Sequence, residues 1–295
     1  MRTPIFTGCC PALVTPFHES GEIDYGSFAK LIEHQISAGV DAVCVCGTTG
    51  EASTLTQTEQ EDLIRFCVKQ VNKRIKVIAG TGSNCTAIAI EKSKTAQQAG
   101  ADALLIVTPY YNKTTQAGLI KHYEAISAST ELPIILYNVP GRTGLSFSAD
   151  TYAALSEIPA VNGVKEASGN LSLLIHAKAV CPDDFFFWSG NDDQVVPFMA
   201  LGAKGVISAA ANIIPEIMAE MTHLCLSGNF PAAASLQTEY TEVIDALFCE
   251  VNPIPIKAAM KLFGMCSDYM RLPLCQISGK NLQLLITALS RAELY

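Results

Sequence analysis

Lys165 ends a short apolar run and opens the string Val164-Lys165-Glu166-Ala167-Ser168. An ammonium group is no nucleophile. A lysine taken out of water, or set near another positive charge, sheds its proton, and the free amine can attack a carbonyl carbon to form an imine. The alternative use of such a lysine is structural, as an ion-pair partner of Glu51 or Glu166. Three other strings bear on the choice. Gly47-Thr48-Thr49-Gly50 sets two hydroxyls and several backbone N–H groups between small residues, which suits a carboxylate cradle, although such strings also make plain turns. Tyr137 offers a phenol for proton transfer, or a ring to fill a core. Arg142, in a loop with Pro140 and Gly141, carries the planar fork that grips a carboxylate through two bonds. Together these groups suit covalent chemistry on a small carbonyl compound that bears a carboxylate.

Such a constellation needs a frame that brings distant strings to one place. Short apolar runs alternate with segments of helical period, and the runs end near Val14, Cys46, Ala79, Thr108, Asn138, Lys165, Ser189 and Ser208. Helical segments are expected over 27–38, 58–72, 86–99, 116–129 and 213–226. The strand ends recur at roughly the length of one βα unit. Eight units predict an α/β fold, a (β/α)8 TIM barrel, whose active site sits at the carboxyl ends of the strands. Every string named above lies at such an end. Gly80-Thr81-Gly82 lacks the spacing of a nucleotide-binding turn and reads as a tight turn. Strand signals stop near residue 226. Helices expected over 230–250, 255–264 and 279–293 suggest a catalytic barrel of residues 1–226 and a small C-terminal helical domain of residues 227–295.

The 295 residues carry a net charge of −8 without a basic block, which argues against nucleic acid or an anionic membrane as partner. No apolar run has the length of a membrane span, and the N-terminus lacks the pattern of a signal peptide. Eleven cysteines, mostly in apolar segments, read as small buried hydrophobes in a reducing cytoplasm. Alternation along a strand would put Cys44 and Cys46 on one face. With no Cys-x-x-Cys pair and five scattered histidines, metal catalysis is not expected.

The ordered strings resemble the dihydrodipicolinate synthase family of the pyruvate-dependent aldolase superfamily. They are Cys46-Gly47-Thr48-Thr49-Gly50-Glu51, Thr108-Pro109-Tyr110-Tyr111-Asn112-Lys113, Tyr137-Asn138-Val139-Pro140-Gly141-Arg142-Thr143-Gly144 and Val164-Lys165-Glu166-Ala167-Ser168-Gly169-Asn170. Asn252-Pro253-Ile254-Pro255-Ile256-Lys257 and Arg271-Leu272-Pro273-Leu274 extend the likeness to the tail. The resemblance implies that Lys165 condenses with pyruvate and that the resulting enamine attacks aspartate semialdehyde. It implies a proton relay of Tyr137, Thr48 and a neighbouring subunit's Tyr111, with Thr48 and Thr49 holding the pyruvate carboxylate. Arg142 would anchor the second substrate, and Gly190 and Ile207 would line the pocket. It further implies a homotetramer built as a dimer of dimers, with no bound cofactor.

The competing enzyme reading is a sister pyruvate lyase such as N-acetylneuraminate lyase, which shares the Lys and the Tyr; Arg142 favours a short carboxylate-bearing aldehyde instead. A phosphate-binding isomerase would want a Gly-rich phosphate turn, of which Ser189-Gly190-Asn191 is a poor version. An inert binding barrel would have no use for Lys165, Tyr137, Thr48 and Arg142 together. Some members of the family are inhibited by lysine. Ser53, Gly82, Asn84 and Tyr110 match their effector site, whereas Gln57 and Gln60 replace His and Ile88 replaces a Glu that meets the ligand's ammonium. Weak or absent inhibition by lysine is the expectation.

Overall fold

The computed structural model describes residues 1–295. Eight parallel strands form the centre: β1 (Gly8–Pro11), β2 (Ala42–Val45), β3 (Lys76–Gly80), β4 (Ala103–Val107), β5 (Ile134–Asn138), β6 (Val161–Glu166), β7 (Phe186–Ser189) and β8 (Gly205–Ser208). They are hydrogen-bonded in the order β1-β8-β7-β6-β5-β4-β3-β2. Closure comes from a bridge between Ala12 and Cys44 and from Leu13 N–H donating to Cys44 O at 2.9 Å. β1 stops at Pro11, short of the expected Val14. Beyond it Ala12 N–H still donates to Ser208 O, but Leu13 N–H turns to Cys44 O on β2 and Val14 N–H is taken by Asn212 Oδ1.

Two apolar layers hold the barrel. The interior is filled by Cys10, Cys44, Ile78, Ile135, Trp188, Ile207 and others, and a larger cluster lies between strands and helices. Strands covered on both sides read as near-continuous apolar runs, which is why the sequence marks them. Helix starts follow local chemistry as well. Thr56 and Glu59 form a reciprocal cap on the helix Gln57–Val71, and Asp24 caps Tyr25–Ser37.

Cys44 and Cys46 do not share a face. Cys46 lies past the end of β2 with φ of 56°, which breaks the alternation. Cys44 therefore points into the barrel, while Cys46 joins the strand–helix layer and donates weakly to Gln60 O at 3.7 Å. All eleven cysteines are free.

The segment expected as one helix over 230–250 is two, Phe230–Glu239 and Thr241–Ala246. The Thr238 and Thr241 hydroxyls donate to the carbonyls of Ala234 and Gln237, four residues back. Such back-bonding bends a helix, and the break falls at Tyr240. With Ile254–Leu262 and Gly279–Arg291 these helices complete the tail, and Val243, Leu247, Ile256 and Leu289 join the apolar cluster of the barrel's outer layer. No helix is long and apolar enough to cross a membrane.

His122, on the helix Gln116–Ser127, shares a 2.9 Å hydrogen bond between Nδ1 and Thr86 Oγ1, while its Nε2 is buried without a partner. Burial lowers its pKa from 6.5 to about 4. Between these values the unfolded chain binds a proton that the native chain does not, so stability falls as pH drops through this window. His122→Gln removes this component. Its Tm should decline less than the wild-type Tm between pH 6.5 and 4, and parallel declines would show that His122 adds nothing to acid sensitivity.

Candidate active site

β5 and β6 run in a register that pairs Tyr137 with Lys165 and Asn138 with Glu166. Lys165 is 6% exposed, and its Nζ lies 4.5 Å from the centre of the Tyr137 ring. Both proposed structural partners are engaged elsewhere. Glu166 accepts from Asn138 Nδ2, from the Tyr152 hydroxyl at 2.5 Å and from Ser168 N–H at 2.8 Å. Glu51 accepts from Lys257 Nζ and from Arg271 N–H. Lys165 makes no ion pair, so a purely structural role has no anion to serve.

A chamber of about 90 Å³ surrounds the amine, with Thr48, Thr49, Tyr137, Arg142, Gly190 and Asn252 in its wall. Thr49 Oγ1 accepts a 2.9 Å bond from Asn252 Nδ2, which leaves its proton free to donate to an anion. Thr48 carries a free hydroxyl beside it. Arg142 follows Pro140 in a single helical turn, Pro140–Thr143, and its Nη2 donates to Asn252 O at 3.3 Å. Most of the guanidinium's donors are unspent, and the side chain lines the chamber. Amine, hydroxyls, phenol and guanidinium thus converge on a volume fit for a small carboxylate-bearing carbonyl compound.

Gly190 is fixed by Ala167 together with the lysine. A Cβ there would lie 3.0 Å from Lys165 Cε and 2.6 Å from Ala167 Cβ, so only glycine lets the side chain lie across β7. Asp192, 1% exposed, accepts from Ala209 N–H and Ala210 N–H at 3.0 Å and ties the ends of β7 and β8 together. Burial raises its pKa, opposed by these bonds and by the charge of Lys165. Beneath the amine, burial pushes the Cys44 thiol up to about 11, so it stays protonated near neutral pH.

Other sequence-derived residues stand further out. Ile207 is fully buried in the barrel-interior cluster and is not part of the chamber wall. Tyr111 is 92% exposed with φ of 69° and does not reach Lys165 of its own chain's chamber. Of the residues matched to an effector site, Ser53, Gly82 and Tyr110 line a second chamber. Gln57 and Ile88 are exposed, Gln60 donates inward to Ala52 O and Leu55 O, and Asn84 O accepts from Asn112 Nδ2. Sequence reasoning did not single out Asn252, Asp192 or Lys257 as parts of the site, although Asn252 and Lys257 sit in a string that it quoted.

A family profile described as the dihydrodipicolinate synthetase family matches residues 5–292. A 4-hydroxy-tetrahydrodipicolinate synthase of Acetivibrio thermocellus is 50% identical over 285 residues, 97% of each chain. One of Clostridium novyi is 49% identical over 97% of this chain and 96% of its own. The crystal structure of dihydrodipicolinate synthase from Aquifex aeolicus superimposes with a TM-score of 0.96 at 42% identity, covering 98% of this chain and 99% of that one. Likeness on this scale takes in every strand end that supplies the chamber and the tail that supplies Asn252, and the chain belongs to the dihydrodipicolinate synthetase family.

Proposed function

We propose that this chain is a lyase of lysine and diaminopimelate biosynthesis that condenses pyruvate with L-aspartate 4-semialdehyde to give 4-hydroxy-tetrahydrodipicolinate. The observation that carries the reading is Lys165: buried, without an ion pair, and set against Tyr137 in a chamber walled by Thr48, Thr49 and Arg142. The Lys165 amine adds to the pyruvate ketone and water leaves, giving an imine whose methyl group loses a proton to form an enamine. The enamine carbon attacks the aldehyde. The second substrate's amino group then attacks the imine carbon, closing the ring and releasing Lys165. Water is the only by-product.

Thr48 and Thr49 hold the pyruvate carboxylate, and Tyr137 and Thr48 pass protons to and from the reacting centre. Tyr111 completes the relay from the partner subunit, since its exposure and left-handed backbone suit a side chain held out for a neighbour. The assembly is then a homotetramer, a dimer of tight dimers. Residues 1–226 carry the chemistry, and residues 227–295 form a helical domain that braces it. Eleven unpaired thiols suit a cytoplasmic setting.

A coupled assay with pyruvate and aspartate semialdehyde, run beside N-acetylneuraminate cleavage, tests the reading; cleavage without condensation would overturn it. In the same assay Arg142→Ala should raise the KM for the semialdehyde roughly tenfold or more and that for pyruvate far less, because a charge-assisted pair is worth roughly 1.5–3 kcal/mol. Equal changes in both would make Arg142 a loop support. Lysine at millimolar concentration should leave the rate nearly flat. Mixing Tyr111→Phe with Lys165→Ala protomers should restore activity in hybrid dimers, and no recovery after verified subunit exchange would count against a shared site.

A further inference from the structure

The helix Tyr25–Ser37 and the C-terminal tail do not close fully on each other. A groove of about 550 Å³ remains between them, within the roughly 300–1,000 Å³ typical of small-molecule sites. None of its lining residues belongs to either chamber at the strand ends. Ser27, Lys30, Leu31 and His34 form one wall, because residues three and four apart share a helix face. The other wall follows from a turn. Gly264, with φ of 67°, donates its N–H to Lys261 O just past the helix Ile254–Leu262, and Met265 N–H reaches back to Met260 O. This reversal brings Phe263, Met265 and Cys266 into the lining, which Ile213 and Leu294 complete.

No acid answers the two basic side chains. Lys30 and His34 lie one helical turn apart, and neither side chain makes a hydrogen bond or an ion pair. No carboxylate lines the groove, and the acids around it are engaged elsewhere: Glu33 with Arg74, Asp24 with Ser27 and Asp268 with Lys261. An apolar floor beside an ammonium without a counter-charge suits a ligand with an apolar body and one negative end. The walls also favour a ring. Phe263 meets Tyr295 edge-on, with centroids 6.1 Å apart and planes at 68°, and the thioether of Met265 can pack against an aromatic edge. We infer that this groove is a binding site for a small aromatic carboxylate, with its ring on Phe263 and Met265 and its carboxylate between Lys30 and His34. A neutral ring would forgo the ammonium. A polyphosphate would meet only two basic groups and an otherwise apolar surface. The inference is independent of the chemistry proposed for Lys165.

Naphthylacetate is a suitable probe, with naphthylacetamide, the same ring on a neutral amide, as its control. Both are titrated by calorimetry into the full-length protein in its native assembly. The expected result is one naphthylacetate per chain in the wild type, with the amide at least about tenfold weaker, the scale of a charge-assisted bond. Lys30→Met combined with His34→Gln should weaken the acid by about tenfold or more, whereas Lys30→Arg should keep it within about threefold. Leu294→Asp, which sets a like charge in the opposite wall, should also weaken it. Lys30 is exposed and Leu294 lies past the last helix, so thermal unfolding of these variants should match the wild type. No saturable binding to the wild type, or equal affinity for acid and amide, would overturn the inference. So would wild-type affinity in the Lys30→Met, His34→Gln double variant, which would place the ligand outside this groove.

Discussion

Treated with pyruvate and borohydride, the wild-type chain should gain the mass of one reduced adduct, and Lys165→Ala should gain none. The outcome depends on which lysines can act as amines. Lys257 is fully buried but held to Glu51 at 2.5 Å and to the carbonyl of Tyr269, so its proton is bound on two sides. Lys92 faces the second chamber, away from Thr49 and Gly190. Lys165 alone stands in the catalytic chamber without an anion. Turnover in Lys165→Ala should drop roughly 10⁴–10⁶-fold, the scale on which enzymes lose a covalent nucleophile. Lys165→Arg should be as inactive, because a guanidinium stays charged and forms no imine. An adduct of full mass on Lys165→Ala would assign the nucleophile elsewhere.

The barrel was legible because parallel strands buried on both faces leave an unbroken apolar trace ended by glycine or polar residues. The runs expected to end at Asn138, Ser189 and Ser208 do end there, and those at Cys46, Ala79, Thr108 and Lys165 are within one residue of the structural limit. Site strings lie beside those ends, so one reading found both. What stayed hidden is long-range. Asn252 meets Thr49 across 203 residues and Lys257 meets Glu51 across 206, and no local period announces either contact. The break at Tyr240 and the turn of Cys46 away from Cys44 failed for the opposite reason. Both arise from a single backbone event, a hydroxyl competing for a carbonyl or one residue of positive φ, inside a segment whose wider pattern is regular.

The contact between Lys257 and Glu51 leads to the second large effect. Lys257→Met should destabilise the chain by about 3–5 kcal/mol, the cost of leaving a buried charge without its partner. For a chain of this length that corresponds to a Tm lower by about 5–8 °C. Both side chains of the pair are 0% exposed, and the Lys257 ammonium also lies 4.4 Å from the centre of the Phe17 ring. Glu51 directly follows the Gly47–Gly50 cradle and holds φ of 53°, a conformation that costs a non-glycine residue on the order of 1–3 kcal/mol. Its carboxylate secures that conformation by accepting from Lys257 and from the Arg271 backbone, while the Arg271 side chain clamps Glu59 at the start of the next helix. The C-terminal helices thus set the position of Thr48 and Thr49 through a salt bridge well away from the reacting atoms. If this is the role, the protein that remains folded in Lys257→Met should show a raised KM for pyruvate, with borohydride trapping still complete at saturating pyruvate. Pairing the change with Glu51→Gln should return much of the lost stability, since no unpaired charge is then buried, but should not return the pyruvate KM, because the bond that fixes the cradle is still missing. Recovery of both in the double variant would mean that the ion pair stabilises the tail and leaves the cradle to position itself.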